Sequence, residues 1–83
     1  MLMRSIVFLA GFFIPIAVLS AVDPWTESYR LEALTQYEGA AKSLEIVIKD
    51  YPRHEFAILR HGWLNYLQGA HNEAIRDYQK VLD

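Results

Sequence analysis

The sequence predicts an all-α protein: an α-solenoid of two helix–turn–helix units, four antiparallel helices in all, preceded by an apolar N-terminal signal helix. Two observations predict the solenoid. Apolar residues recur at helical spacing after residue 22 without any strand alternation, and part of this pattern returns 34 positions later. A third observation, the absence of any charge from residues 5–22, predicts the separate segment ahead of it.

Capping residues and apolar stripes place the four helices after residue 22. Asp23-Pro24 begins the first, because Asp can cap and Pro is tolerated at the first helical position; this helix reaches about Leu34. The second ends at Tyr51-Pro52. The third spans about 54–68 and is ended by Gly69. We expect Asn72 to cap the fourth, which runs through residues 74–82.

Residues 1–21 have the order of a secretory signal peptide. Arg4 precedes a long apolar stretch, and the small residues Ser20 and Ala21 close it. We expect cleavage after Ser20 or Ala21, and therefore an exported protein that is periplasmic or secreted.

The alternative is an uncleaved membrane anchor, because residues 5–22 approach the roughly 17–25 residues of a single span. Pro15 disfavours this alternative, since it would kink or end a spanning helix. If Arg4 stays inside, both alternatives place residues 23–83 outside the cytoplasm.

Length, charge and composition exclude several classes of function. The chain has 83 residues, 53% hydrophobic and 22% charged, with a net charge of −2 and no cysteine. Negative charge disfavours nucleic acid, whose binding needs clustered Lys and Arg, and the lack of Cys excludes disulfides and Cys-based zinc sites. The chain is short for a catalytic domain and carries no nucleophile elbow, phosphate loop or HExxH motif. We expect no enzyme and no cofactor.

The three histidines do not form an obvious metal site. His54 and His61 lie two turns apart on one helix, about 10.5 Å along its axis, which is too far to share an ion unaided. His71 lies in a turn, and no Cys completes a ligand set. We expect no metal, and we interpret His61 as a packed or partly exposed helix residue.

The 34-residue period decides the architecture. Ala40 aligns with Ala74, and Val47 aligns with Val81. A helix–turn–helix unit of this length resembles the tetratricopeptide repeat (TPR) family. The resemblance covers about 60 residues and implies one unit at 22–53 and a second at 54–83, after a signal peptide or anchor at 1–21.

The family pattern implies a set of packing residues. In the first unit they are Ser28, Ala40, Leu44 and Val47, and in the second Gly62, Gly69, Ala74, Tyr78 and Val81. Small side chains in this set let paired helices approach closely. Two positions depart from the pattern: Thr35 stands where Gly69 does, and His61 stands where the family usually has Leu.

The resemblance also implies a partner-binding surface, because the first helices of TPR units line a concave groove that binds peptides or partner helices. The side chains expected to bind a protein or peptide partner are Trp25, Tyr29, Phe56, Leu59, Trp63 and Tyr66. The alternative is that several of these pack within and between the units. One subtype of the family binds the C-terminal carboxylate of a peptide through polar residues. This chain has Leu59 and Trp63 at those positions, so we do not expect it to bind a carboxylate in that way.

Together these observations favour an exported, bacterial-type TPR protein that acts as a protein-interaction module. The alternative is a membrane-anchored structural or assembly subunit that uses residues 5–22 as a single span. The fourth helix is expected to leave Ile75, Tyr78 and Leu82 partly uncovered. We therefore expect either an N-terminal fragment of a longer repeat protein or self-association through residues 74–82.

Overall fold

The computed structural model describes residues 22–83, and within them it contains four α-helices and no strand. The helices are α1 (Pro24–Ala33), α2 (Tyr37–Asp50), α3 (Glu55–Leu67) and α4 (His71–Leu82). Each helix packs on the next in the chain. The expected all-α fold is thus confirmed, whereas the expected signal helix at 1–21 lies outside the described residues. None of the four helices is long and apolar enough to cross a membrane.

Side chains cap two of the helices at their first turn. The carboxylate of Asp23 accepts a hydrogen bond from the Thr26 backbone N–H at 3.0 Å, and Pro24 follows as the first helical residue. At α3, the Nδ1 atom of His54 accepts from the Ala57 N–H at 3.2 Å. These bonds satisfy N–H groups that have no partner inside the helix.

The expectation that Asn72 caps the fourth helix was wrong. The helix begins at His71, its N-cap is Ala70, and no side chain bonds to its first turn. The reason lies in the preceding turn, which reverses the chain so tightly that Asn72 is already helical.

That turn is a Schellman motif, and it occurs once in each unit. The N–H of Ala70 bonds to the Asn65 carbonyl at 2.8 Å, and Gly69, with φ of +89°, occupies the left-handed position. In the first unit Thr35 occupies the same position with φ of +58°. A β-branched residue is strained in this region of backbone conformation, so the backbone at Thr35 is strained whereas the backbone at Gly69 is not.

The core lies where α1, α2 and α3 meet. Its buried members are Ala40, Ala41, Leu44 and Leu64, with Trp25, Leu31, Tyr37 and Leu67 packed against them. Ser28 is fully buried beside this cluster and donates a hydrogen bond to the Ala40 carbonyl at 2.9 Å. This short bond joins α1 to α2 and shows how closely a small side chain lets the two helices approach.

Candidate functional site

The expected partner-binding residues lie on α1 and α3, and we call these six side chains, Trp25, Tyr29, Phe56, Leu59, Trp63 and Tyr66, the aromatic face. All of them except Trp25 are between 41 and 56% exposed. The four on α3 follow one another at intervals of three or four residues, which aligns them along one side of that helix. Trp25 is half-buried, because part of its ring packs on the core.

At one end of the aromatic face, α1 meets α3 through stacked rings. The Trp25 and Phe56 rings lie 5.6 Å apart with 19° between their planes, and the His54 ring lies 5.5 Å from that of Trp25. Packing between units thus accounts for part of Trp25, as the alternative reading of these aromatics allowed.

At the other end, Trp63 and Tyr66 stack on each other. Their centroids are 5.8 Å apart with 23° between the planes, and Tyr66 also contacts His71 of α4 at 5.5 Å. Stacking holds both rings in defined positions while about half of each stays exposed. Rigid, exposed aromatic side chains of this kind are typical binding anchors, because little conformational entropy is lost when a partner covers them.

Arg60 is a buried residue of α3 that contacts the aromatic face at Tyr29. Only 8% of the residue is exposed, and its guanidinium lies 3.8 Å from the centre of the Tyr29 ring. Its Nη2 contacts the Glu32 carboxylate at 2.8 Å and donates to the Ser28 hydroxyl at 3.1 Å. Ser28 in turn bonds to Ala40, so one polar chain links α3, α1 and α2.

These contacts leave the Arg60 guanidinium poorly placed to bind a carboxylate of a partner. Its Nη2 group is already shared between Glu32 and Ser28, and its Nε is buried without a hydrogen-bond partner. A buried guanidinium that lost its contact with Glu32 would destabilise the fold. We therefore assign Arg60 a structural role beneath the face. Its guanidinium covers one face of the Tyr29 ring.

A second polar cluster lies between α2, α3 and α4, on His61. The ring places Nδ1 2.6 Å from an oxygen of Asp77 and Nε2 3.3 Å from an oxygen of Glu45. Asn65 donates to the same Asp77 oxygen at 3.2 Å. Because the two carboxylates face opposite ring nitrogens, they cannot converge on one ion, and the described residues contain no group of ligands suited to a metal.

Sequence reasoning missed most of this cluster. It predicted only that His61 is a packed or partly exposed helix residue, whereas its ring contacts Glu45 and the buried Asp77. The only signal in the sequence was the four-residue spacing of His61 and Asn65, which places both on one side of α3. No spacing could reveal that Asp77 of another helix meets them.

The residues assigned to repeat packing occupy three kinds of position. Ser28, Ala40, Leu44, Gly62 and Ala74 are buried, and Val47, Tyr78 and Val81 are half-buried. Gly69 is exposed with open space around it, so its place in the set rests on its positive φ and not on packing. At Gly62 a Cβ atom would lie only 2.9 Å from the Tyr78 ring, which shows how closely α4 approaches there.

Comparison with protein families identifies the family to which the two repeat units belong. The tetratricopeptide repeat model matches the chain twice, at residues 27–54 and 56–83. The chain belongs to the tetratricopeptide repeat family. TPR units form a non-catalytic scaffold and are generally protein–protein interaction modules. No curated protein and no solved structure matches the chain.

Proposed function

We propose that this TPR chain is an exported protein-interaction module that binds a partner protein or peptide through the aromatic face. The observation that supports this most strongly is the half-exposure of rings that are already held in place by stacking and by Arg60. Such a surface binds by recognition alone, with apolar anchors supplying the affinity and surrounding charges the orientation.

The net charge and the composition of the face favour a protein partner over nucleic acid. The chain carries a net charge of −2, and Arg60, which contacts the face at Tyr29, is paired with Glu32. Phosphate binding depends on accessible cations, whereas an apolar side chain or an amphipathic helix is well matched by Trp63, Tyr66 and Leu59.

Affinity capture tests this proposal. The immobilised chain is compared with a Trp63→Ala, Tyr66→Ala variant, and with Tyr51→Ala, which removes an aromatic ring outside the face that is even more exposed, at 64%. Proteins that bind the aromatic face are retained by the wild type and by Tyr51→Ala and lost with the double variant. Equal recovery from all three would remove the aromatic face from the proposal.

Export by cleavage of residues 1–21 is part of the same proposal, and its rival is a membrane-anchored assembly subunit with a span at 5–22. The uncharged stretch followed by Ser20 and Ala21 supports cleavage. N-terminal sequencing of the protein recovered from cells separates the two: a new terminus after Ser20 or Ala21 supports export, and an intact Met1 supports the anchor.

A further inference from the structure

The polar cluster of His61, Asp77, Glu45 and Asn65, which we call the His61 cluster, has no part in the proposed function. Its centre is a buried acid: Asp77 is only 6% exposed, and within residues 22–83 it forms one ion pair, with His61. A buried carboxylate destabilises a fold unless a cation or hydrogen-bond donors face it. His61 stands where the family usually has Leu, so a titratable ring lies beside this acid where an apolar side chain is usual.

Both nitrogens of the His61 ring face carboxylate oxygens. Nδ1 lies 2.6 Å from Asp77 of α4, and Nε2 lies 3.3 Å from Glu45 of α2. Among residues 22–83 these two acids are the charged groups within hydrogen-bonding distance of the ring, and Asn65, whose amide is 3.2 Å from Nδ1, donates to Asp77. A neutral imidazole carries a single N–H, so one of its nitrogens would direct a lone pair at a carboxylate. The imidazolium form donates to both acids, and charge-assisted bonds of this kind are short.

We propose that the His61 cluster is a pH-sensitive lock between three helices. With its ring protonated, His61 joins α3 to α4 through Asp77 and joins α3 to α2 through Glu45. When the ring loses one proton, the remaining N–H stays with the buried Asp77, and the bond to Glu45, whose side chain is 60% exposed, is lost. Asp77 then has neutral donors in place of a cation, so the packing of α4 on α3 weakens as well.

The lock stabilises the fold in one pH direction. The folded chain holds the His61 proton between two carboxylates, whereas the unfolded chain leaves the ring in water, so the folded state binds the proton more tightly. The contribution is therefore present while His61 is protonated and is lost as pH rises and the ring gives up its proton. For one proton, the folding equilibrium constant falls by up to about tenfold per pH unit. Strongly acidic pH, at which carboxylates are protonated, also ends the contribution.

The lock is separate from the aromatic face. His61 is two residues from both Leu59 and Trp63, a rotation of about 200° around α3, which places it on the opposite side of that helix. A partner bound to the aromatic face therefore leaves the His61 cluster uncovered, and the pH response does not depend on partner binding.

Urea unfolding over a range of pH tests the lock, with the full chain in a mild detergent and circular dichroism as the readout. The wild type is compared with His61→Gln, which keeps a polar side chain without a titratable ring, and with His71→Gln, which changes an exposed histidine of α4. Variants are compared at each pH because His54 responds in the opposite sense: its Nδ1 accepts from the Ala57 N–H only while that nitrogen is unprotonated.

The ratio of the wild-type folding equilibrium constant to that of His61→Gln is expected to fall at least several-fold between mildly acidic and mildly alkaline pH. The same ratio for His71→Gln is expected to show no such fall. A ratio for His61→Gln that is constant with pH, or one that falls equally for His71→Gln, overturns the proposal.

Nitrogen-15 NMR of the wild type tests the lock without relying on a variant that folds. Both ring nitrogens of His61 are expected to carry hydrogens at a pH at which the exposed His71 ring has already lost one. Loss of the His61 proton at the same pH as that of His71, or at a lower pH, overturns the proposal.

Discussion

Gly62 is the residue at which the packing of α3 on α4 is most open to test. A Cβ atom added there would lie 2.9 Å from Cε1 of Tyr78 and 3.1 Å from Cβ of Asp77. The Tyr78 ring can shift, but the Asp77 Cβ is fixed to the backbone of α4, so Gly62→Ala forces the two helices apart. Overpacking of this kind destabilises a protein by about 3 kcal/mol at the upper end of the usual range. The higher helix propensity of Ala offsets about 1 kcal/mol of that loss. We expect a net loss of about 2 kcal/mol in the free energy of unfolding.

Two other glycines provide matched controls for Gly62→Ala. At Gly39 the nearest atom to an added Cβ is the flexible end of Leu31 at 3.2 Å, so Gly39→Ala should gain about 0.5 kcal/mol from helix propensity. At Gly69 nothing is near, but φ is +89°, so Gly69→Ala should lose about 1 kcal/mol from backbone strain alone.

Urea unfolding followed by far-ultraviolet circular dichroism measures the series, with every variant of the full chain in the same mild detergent. The expected order of stability is Gly39→Ala, wild type, Gly69→Ala and Gly62→Ala. A Gly62→Ala chain as stable as the wild type would refute the close approach of α3 and α4. Equal losses at Gly39 and Gly62 would show instead that any added side chain is harmful.

Three further outcomes are expected. Thr35→Gly relieves a β-branched residue at φ of +58° and should raise the free energy of unfolding by about 1 kcal/mol in the same urea assay; a loss would contradict the strain assigned to that turn. Asp77→Ala removes the oxygen that binds His61 and Asn65 and should cost about 2 kcal/mol, whereas an unchanged midpoint would show that the cluster contributes nothing. The hydrogen bond from Arg30 lowers the pKa of Glu27 in the folded protein, so this pair stabilises the fold above the ordinary glutamate pKa and ceases to do so as pH falls through the lowered value. Carboxyl resonances in NMR titrations should show the Glu27 pKa rising in Arg30→Gln, and an unchanged value would exclude the pair as its cause.

The sequence was sufficient to predict the helices because their signals are local. Asp23, Pro24 and Gly69 act within one turn of their own positions, and the apolar stripes follow from the helical period. The prediction that Asn72 caps the fourth helix failed because the presence of a capping residue does not reveal how tightly the preceding turn closes. The turn geometry at Gly69 decided where α4 begins.

The contacts beneath the aromatic face were less predictable, since they depend on residues distant in sequence. Arg60 is buried because Tyr29, Ser28 and Glu32 meet it from another helix, and no pattern around position 60 signals that. Trp63 is 45% exposed and its counterpart Tyr29 is 49% exposed, so the same position of the repeat faces outward in both units. Local periodicity therefore predicts on which side of its helix a residue lies. Contacts with other helices decide whether that residue is buried and which partners it has.

The central claim, that the aromatic face contacts another protein surface, is tested most directly by a photocrosslinking amino acid placed at Leu59 in cells. Leu59 lies on the face and is 41% exposed, and Lys42, an exposed residue of α2 that pairs with Glu38, is the control position. Irradiation should link the Leu59 probe to protein, whether a second copy or another chain, and Trp63→Ala should remove that link. Crosslinks of equal yield from Lys42, or none from Leu59, would contradict the claim.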